Sequence, residues 1–154
     1  MVKDDITYMR LALEEAKQAY LQNEVPVGAI LVHKDTGDIV VRSGNLTIKD
    51  ADPTSHAEIT CIRKLCKQLG VQRIPDYDLY VTLEPCPMCS AAISYARINR
   101  VIFGATDEKS GGLNDHLNLY EFKQIHHKPT VTRGVMAQEC GQILKDFFKQ
   151  CRKS

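Results

Sequence analysis

Apolar residues early in the chain recur at helical spacing: Met9, Leu13, Ala16 and Tyr20 share one face, with Glu14, Glu15 and Lys17 elsewhere on the wheel. The spacing predicts an amphipathic helix over 6–23. The period then shortens. Residues 27–32 and 39–41 are β-rich runs separated by the turn-forming stretch Lys34-Asp35-Thr36-Gly37, and predict a hairpin. A second helix is predicted over 55–69, stopped by Gly70. Residues 78–83 predict a strand running directly into a third helix, which starts at Pro85-Cys86 and continues to about 97. Strands at 101–105 and 130–135 follow, with a final amphipathic helix over 137–149 that turns Leu144, Phe147 and Phe148 inward. No period is legible between Ser110-Gly111-Gly112 and His127. Helices interspersed among five strands predict an α/β layered sandwich, with strand-to-helix crossovers around a central sheet.

Composition narrows the class. A chain of 154 residues with 44% hydrophobic content predicts one domain, 1–154, that buries a core of its own. A net charge of +1 lacks the global basic field of many nucleic-acid binders, so any RNA contact must be local. The longest apolar run, 25–32, is eight residues, too short to span a bilayer, and Met1-Val2-Lys3-Asp4-Asp5 carries no signal-peptide core. A soluble cytoplasmic protein with no membrane partner is the expectation. Its six cysteines are expected to be reduced, with Cys61, Cys66 and Cys140 buried or half-buried.

The chemistry concentrates in His56-Ala57-Glu58 and Pro85-Cys86-Pro87-Met88-Cys89. His56, Cys86 and Cys89 are three zinc ligands, and a catalytic zinc keeps its fourth corner for water. The cysteines lie three apart, so one helix face can present both. A helix N-terminus favours thiolate there. His56 and Glu58 are two apart and point to different sides of a helix, so both reach one ion only at a helix tip, and Asp52-Pro53-Thr54-Ser55 supplies such a start. Glu58 is then the free carboxylate beside the metal. Two bland alternatives stand beside this. Ser55-His56-Ala57-Glu58 is also a capping box, and Cys-x-x-Cys also serves redox pairs and structural zinc. A structural zinc needs a fourth protein ligand, and Cys61 and Cys66 face away from His56 on the same helix.

His-x-Glu with Pro-Cys-x-x-Cys resembles the signature of zinc deaminases acting on nucleobases. The likeness extends through Glu24-Val25-Pro26-Val27-Gly28-Ala29, Gly44-Asn45, Asp52 to Glu58, Tyr80 to Cys89, Phe103-Gly104-Ala105 with Asp107 and Lys109, and Gly134-Val135 to Phe147-Phe148. Over nearly its whole length the chain is similar to the bacterial tRNA-specific adenosine deaminases. That resemblance implies the cytidine deaminase-like three-layer sandwich, a central five-stranded mixed sheet flanked by helices. It implies a homodimer, one Zn²⁺ per subunit, and conversion of a wobble adenosine in a tRNA anticodon stem-loop to inosine. It places Asn45 as the hydrogen-bonding partner of a flipped base, Val27 and Ala57 in the pocket wall, and Asp107 and Lys109 near the RNA backbone. Without it, Asn45 after Gly44 reads as a turn residue, and Asp107-Glu108-Lys109 as a solvated loop.

Thr106 stands where that family usually has Arg, Gly44 where an aromatic is common, and His126-His127 where Asn-His is usual. Residues 113–124 fit its pattern poorly. These departures leave zinc chemistry untouched and bear on substrate. The alternative is a deaminase of a free base or nucleoside, of guanine or cytosine type. Guanine deaminases resemble Glu84 to Cys89 but typically carry Ser-Cys where Thr82-Leu83 stand. A third reading, a zinc-stabilised RNA-binding scaffold, leaves Glu58 unexplained. The histidine pair reads as neutral loop residues rather than a second metal site.

Overall fold

The computed structural model describes residues 1–153. Asp4 opens α1 (Asp5–Leu21) by accepting the Thr7 N–H at 2.8 Å, which satisfies a donor the first turn leaves over. β1 (Gly28–His33) and β2 (Ile39–Gly44) form the expected antiparallel hairpin. β2 runs past its β-rich core because Arg42, Ser43 and Gly44 still pair with Ile30, Ala29 and Gly28. α2 (Ala57–Leu69) closes on Gly70 in the left-handed region, whose N–H bonds Cys66 O. β3 (Tyr77–Leu83) leads to α3 (Pro87–Tyr95), then β4 (Arg100–Ala105), β5 (Thr130–Thr132) and α4 (Ala137–Lys153).

The sheet order is β2-β1-β3-β4-β5. β1 is antiparallel to β2 and β3, while β3, β4 and β5 are parallel, so the sheet is mixed as expected. Alternate residues of each strand serve opposite faces. Ala29, Leu31, Leu79, Val81, Val101 and Phe103 pack under α2 and α3 with Ala57, Cys61, Leu65 and Ile93. Ile30, Val32, Tyr80 and Ile102 pack under α1 and α4 with Tyr8, Met9, Ala12 and Cys140. Three layers result, helices on both faces.

Four expectations need correction. α3 starts at Pro87, with Cys86 as N-cap, rather than at Pro85. It also stops at Tyr95, because Arg97 takes φ 60 and its N–H turns back to Ser94 O. β5 ends at Thr132 rather than 135, since Gly134 (φ 81) and Met136 (φ 55) bend the chain away. Phe148 is 48% exposed rather than inward. Of the α4 side chains only Cys140 is fully buried; Phe147 leans on Tyr20 at 5.5 Å and Phe148 on Phe147. The stretch without a period holds a short 3-10 helix, Leu119–Glu121, and an isolated bridge between Leu113 and Asn118. Among the described residues no helix is long and apolar enough to cross a membrane.

At the sheet end away from the helix tips, α1 is tied down by charge. Asp5 accepts the Tyr80 hydroxyl at 2.6 Å and an Arg100 guanidinium N–H at 3.1 Å. Burial raises the Asp5 carboxyl, but those two donors outweigh it and hold it below the usual range. A carboxyl depressed in the folded state stabilises above its unfolded pKa, and the gain is lost as pH falls through the folded value. Asp5→Asn is therefore expected to cost about 1.5 kcal/mol at pH 7. In urea titrations the difference from wild type should shrink below about pH 4; a pH-independent difference would contradict this account.

Candidate active site

Two helix tips converge beyond the carboxyl ends of β3 and β4. His56 is the N-cap of α2 in extended conformation and makes no side-chain cap bond, so its imidazole is left to point across the gap. Cys86 holds the same place on α3, and Cys89 follows as the third helical residue. His56 Nδ1 lies 3.6 Å from Cys86 Sγ and 3.4 Å from Cys89 Sγ. All three donor atoms fall within 4.8 Å of one another. A zinc tetrahedron with ordinary Zn–S and Zn–N bonds has an S···N edge of about 3.6 Å. The trio fits zinc, and it is the only such cluster among the described residues.

The protons are arranged to be displaced. Cys86 is pushed down to about 4 by the Cys89 thiol that donates to it, with His56 and the Cys89 backbone N–H adding to the effect against the cost of burial. Cys89 is pushed up, because it donates to Cys86 and because it is buried. His56 is raised by its hydrogen bond to Cys86, against burial. One thiolate is thus ready, and a metal would expel the second thiol proton.

Glu58 is the second residue of α2 and only 4% exposed. Burial raises its carboxyl to about 7, although its own backbone N–H and His56 pull the other way. A group poised there can both take and give a proton near neutrality. The capping box is not formed: with His56 as N-cap, the third position is Ile59 and Glu58 is free of that duty.

The site opens into a cavity of about 210 Å³. That is below the roughly 300 Å³ of a drug-sized pocket and suits a single ring system. Val27, Ala57, Asn45 and Glu58 line it, and Leu83 adds an apolar wall. Asn45 is buried, and its Nδ2 donates to Glu24 Oε1 at 3.3 Å and Thr47 Oγ1 at 3.1 Å. Glu24, 1% exposed, also accepts the Ile48 and Lys49 N–H groups, so it holds Asn45 and the following loop together. Asp107 reaches the cavity, but its carboxylate caps its own turn by accepting the Lys109 and Ser110 N–H groups. Lys109 is exposed and outside the lining. His127 bonds Ile98 O through its ring at 2.7 Å, a tie between its loop and the turn that leads from α3 into β4.

Sequence reasoning did not single out Glu24, Glu84, Thr47, Leu83 or Ser110 as site residues. A signal was present for Glu84, a lone carboxylate between Leu83 and Pro85 at the end of a β-rich run, which in a core must be bonded; Glu24, next to the polar Gln22-Asn23, left none.

Residues 2–105 match the family model described as the cytidine and deoxycytidylate deaminase zinc-binding region. A tRNA-specific adenosine deaminase of Agrobacterium fabrum is 47% identical over 145 residues, 94% of each chain. A solved structure from work on A-to-I editing by tRNA:A34 deaminases superposes with a TM-score of 0.86 at 47% identity, covering 90% of this chain and 99% of its own. A guanine deaminase of Bacillus subtilis is 39% identical, with a TM-score of 0.63, over only 68% of this chain and 66% of its own.

Proposed function

The chain belongs to the tRNA-specific adenosine deaminases of the cytidine and deoxycytidylate deaminase family, and from that premise we propose that it deaminates a wobble adenosine of tRNA to inosine with one zinc per subunit. The observation that carries the reading is the His56, Cys86 and Cys89 trio with buried Glu58 beside it, at the floor of a cavity sized for one base. Bound there, zinc would leave a tetrahedral corner to water and make that water acidic near neutral pH. Glu58 accepts the proton from the attacking water and passes it to a ring nitrogen. The hydroxyl adds to the amine-bearing carbon; Glu58 then carries that hydroxyl's proton to the amine, and the C–N bond breaks as the C=O forms, releasing ammonia.

The base must leave its stack to reach Glu58. Val27, Ala57 and Leu83 receive its faces, and Asn45, fixed by Glu24, hydrogen-bonds its edge. Asp107 serves by shaping its loop; Lys109, exposed on the same loop, is placed to meet a phosphate. The chain works as a single domain, in the cytoplasm, as a homodimer. Met88 and Tyr95, left 37% and 77% exposed on α3, support a partner on that face.

Sequence identity over the chain favours tRNA over a free base: a tRNA enzyme is 47% identical over 94% of this chain, whereas the guanine deaminase of Nitrosomonas europaea shares the fold over 96% of it at only 17% identity and the Bacillus subtilis enzyme reaches 39% over 68%. An anticodon stem-loop with a wobble adenosine is expected to outperform free adenosine in kcat/KM by on the order of 10²-fold or more, because contacts to flanking nucleotides must offset unstacking. Its binding should weaken as salt rises. Ammonia release from stem-loop, adenosine, guanine and cytosine side by side tests this. Efficient turnover of guanine or cytosine without turnover of the stem-loop would establish the free-base reading instead.

A further inference from the structure

Glu84 stands between the metal-ligand helix and the loop that walls the cavity, and that loop occupies its carboxylate. The residue is 2% exposed. Oε1 accepts the Asp107 N–H at 3.0 Å; Oε2 accepts the Leu113 N–H at 3.0 Å and Asn114 Nδ2 at 2.8 Å. These donors come from both ends of the segment 107–114, so one side chain closes it into a compact loop. Gly111 lies so near that a Cβ there would collide with the Glu84 carboxylate. Gly112 bonds Pro85 O at 2.8 Å, and a Cβ on it would crowd Ser90 Oγ and Pro87 on α3. The loop is seated on Glu84 and on the first turn of the helix that carries Cys89. Asp107 and Ser110 on this loop reach the cavity.

We propose that Glu84 is a positioning residue for substrate binding: by collecting the N–H groups of 107–114 it sets the cavity wall against which the substrate ring binds. Its oxygens face loop donors rather than the reacting atoms, so it acts through the loop. A carboxylate suits this place because bonds to an ionised acceptor are stronger than neutral ones, and because it accepts at both oxygens without offering a donor. A glutamine of the same shape accepts at one oxygen and turns an NH₂ group toward an N–H.

The kinetic consequence rests on the deaminase reading above; the loop consequence does not. Full-length, zinc-loaded Glu84→Gln is compared with wild type for zinc content, amide hydrogen exchange over 107–114, and kcat and KM on the anticodon stem-loop. Zinc is expected to stay at the wild-type level. Exchange at Asp107 and Leu113 should accelerate and KM rise, each by about tenfold, the effect of one lost charge-assisted bond, while kcat changes much less. Asn114→Ala removes one donor and leaves the carboxylate; it should move exchange and KM the same way by less, and it decides the matter if Glu84→Gln does not fold. Unchanged exchange, faster exchange with unchanged KM, or loss of zinc overturns the proposal. Should wild type fail on the stem-loop, the substrate reading falls while the exchange arm still decides whether Glu84 holds the loop.

Discussion

Glu58→Ala is expected to abolish turnover while leaving about one zinc per chain. Loss of a general acid–base commonly costs about 10²–10⁴-fold, and more where one carboxylate serves several proton transfers, as here. The variant should keep its metal because the ligand atoms belong to His56, Cys86 and Cys89 and lie on helix tips that do not depend on Glu58. It should also keep its stability. Glu58 forms no capping box, and burial is the largest influence on its carboxyl, so the desolvation relieved by removing it offsets the loss of its bonds to its own N–H and to Cys89. Single-turnover rates with zinc analysis on the same sample check this. Wild-type-like activity would sink the mechanism, and metal loss would mean that Glu58 is a ligand.

Cys89→Ala is expected to lose both metal and activity, whereas Cys151→Ala loses neither. Cys89 is buried, supplies one corner of the donor triangle and donates to Cys86, so its loss removes a ligand and the group that makes Cys86 a thiolate. Two remaining protein ligands do not make a zinc site of either ordinary kind. Cys151 sits exposed near the end of α4, outside the cluster. Elemental analysis of the purified variants decides the matter: full zinc in Cys89→Ala would show the ligand set to be wrong.

Much of this was written locally. Helical spacing of Met9, Leu13 and Ala16, the β-rich runs of the hairpin and the stop at Gly70 place α1, β1, β2 and α2 to within a few residues, because side-chain period and caps are properties of neighbouring positions. The ligand trio and Glu58 were equally legible, since zinc demands particular atoms and only a few residues carry them. Where local rules compete, boundaries slipped. Both Pro85 and Pro87 suit a helix start, and only the path of the chain into Cys86 selects Pro87. Phe147 and Phe148 both fit an apolar stripe, yet α4 packs on the sheet along a line that buries Cys140 and leaves Phe148 outside.

By itself, the sequence determined which atoms can bind the metal, which carboxylate is left over for proton transfer, and the order of strands and helices that brings them near. Only the tertiary structure decided what holds the cavity's walls. Glu24 reaches the Lys49 N–H, and Glu84 reaches the Leu113 N–H and Asn114, across 25 to 30 residues. A hydrogen bond from a buried carboxylate to a distant backbone leaves no period, cap or turn signal in the segment that receives it. That is why the anchoring of 110–127 is silent in the sequence: Gly112 and Leu113 send their N–H groups to Pro85 O and Glu84, while most of the segment's other bonds are local turns closed through Asn114 and Asn118, too short to set a period.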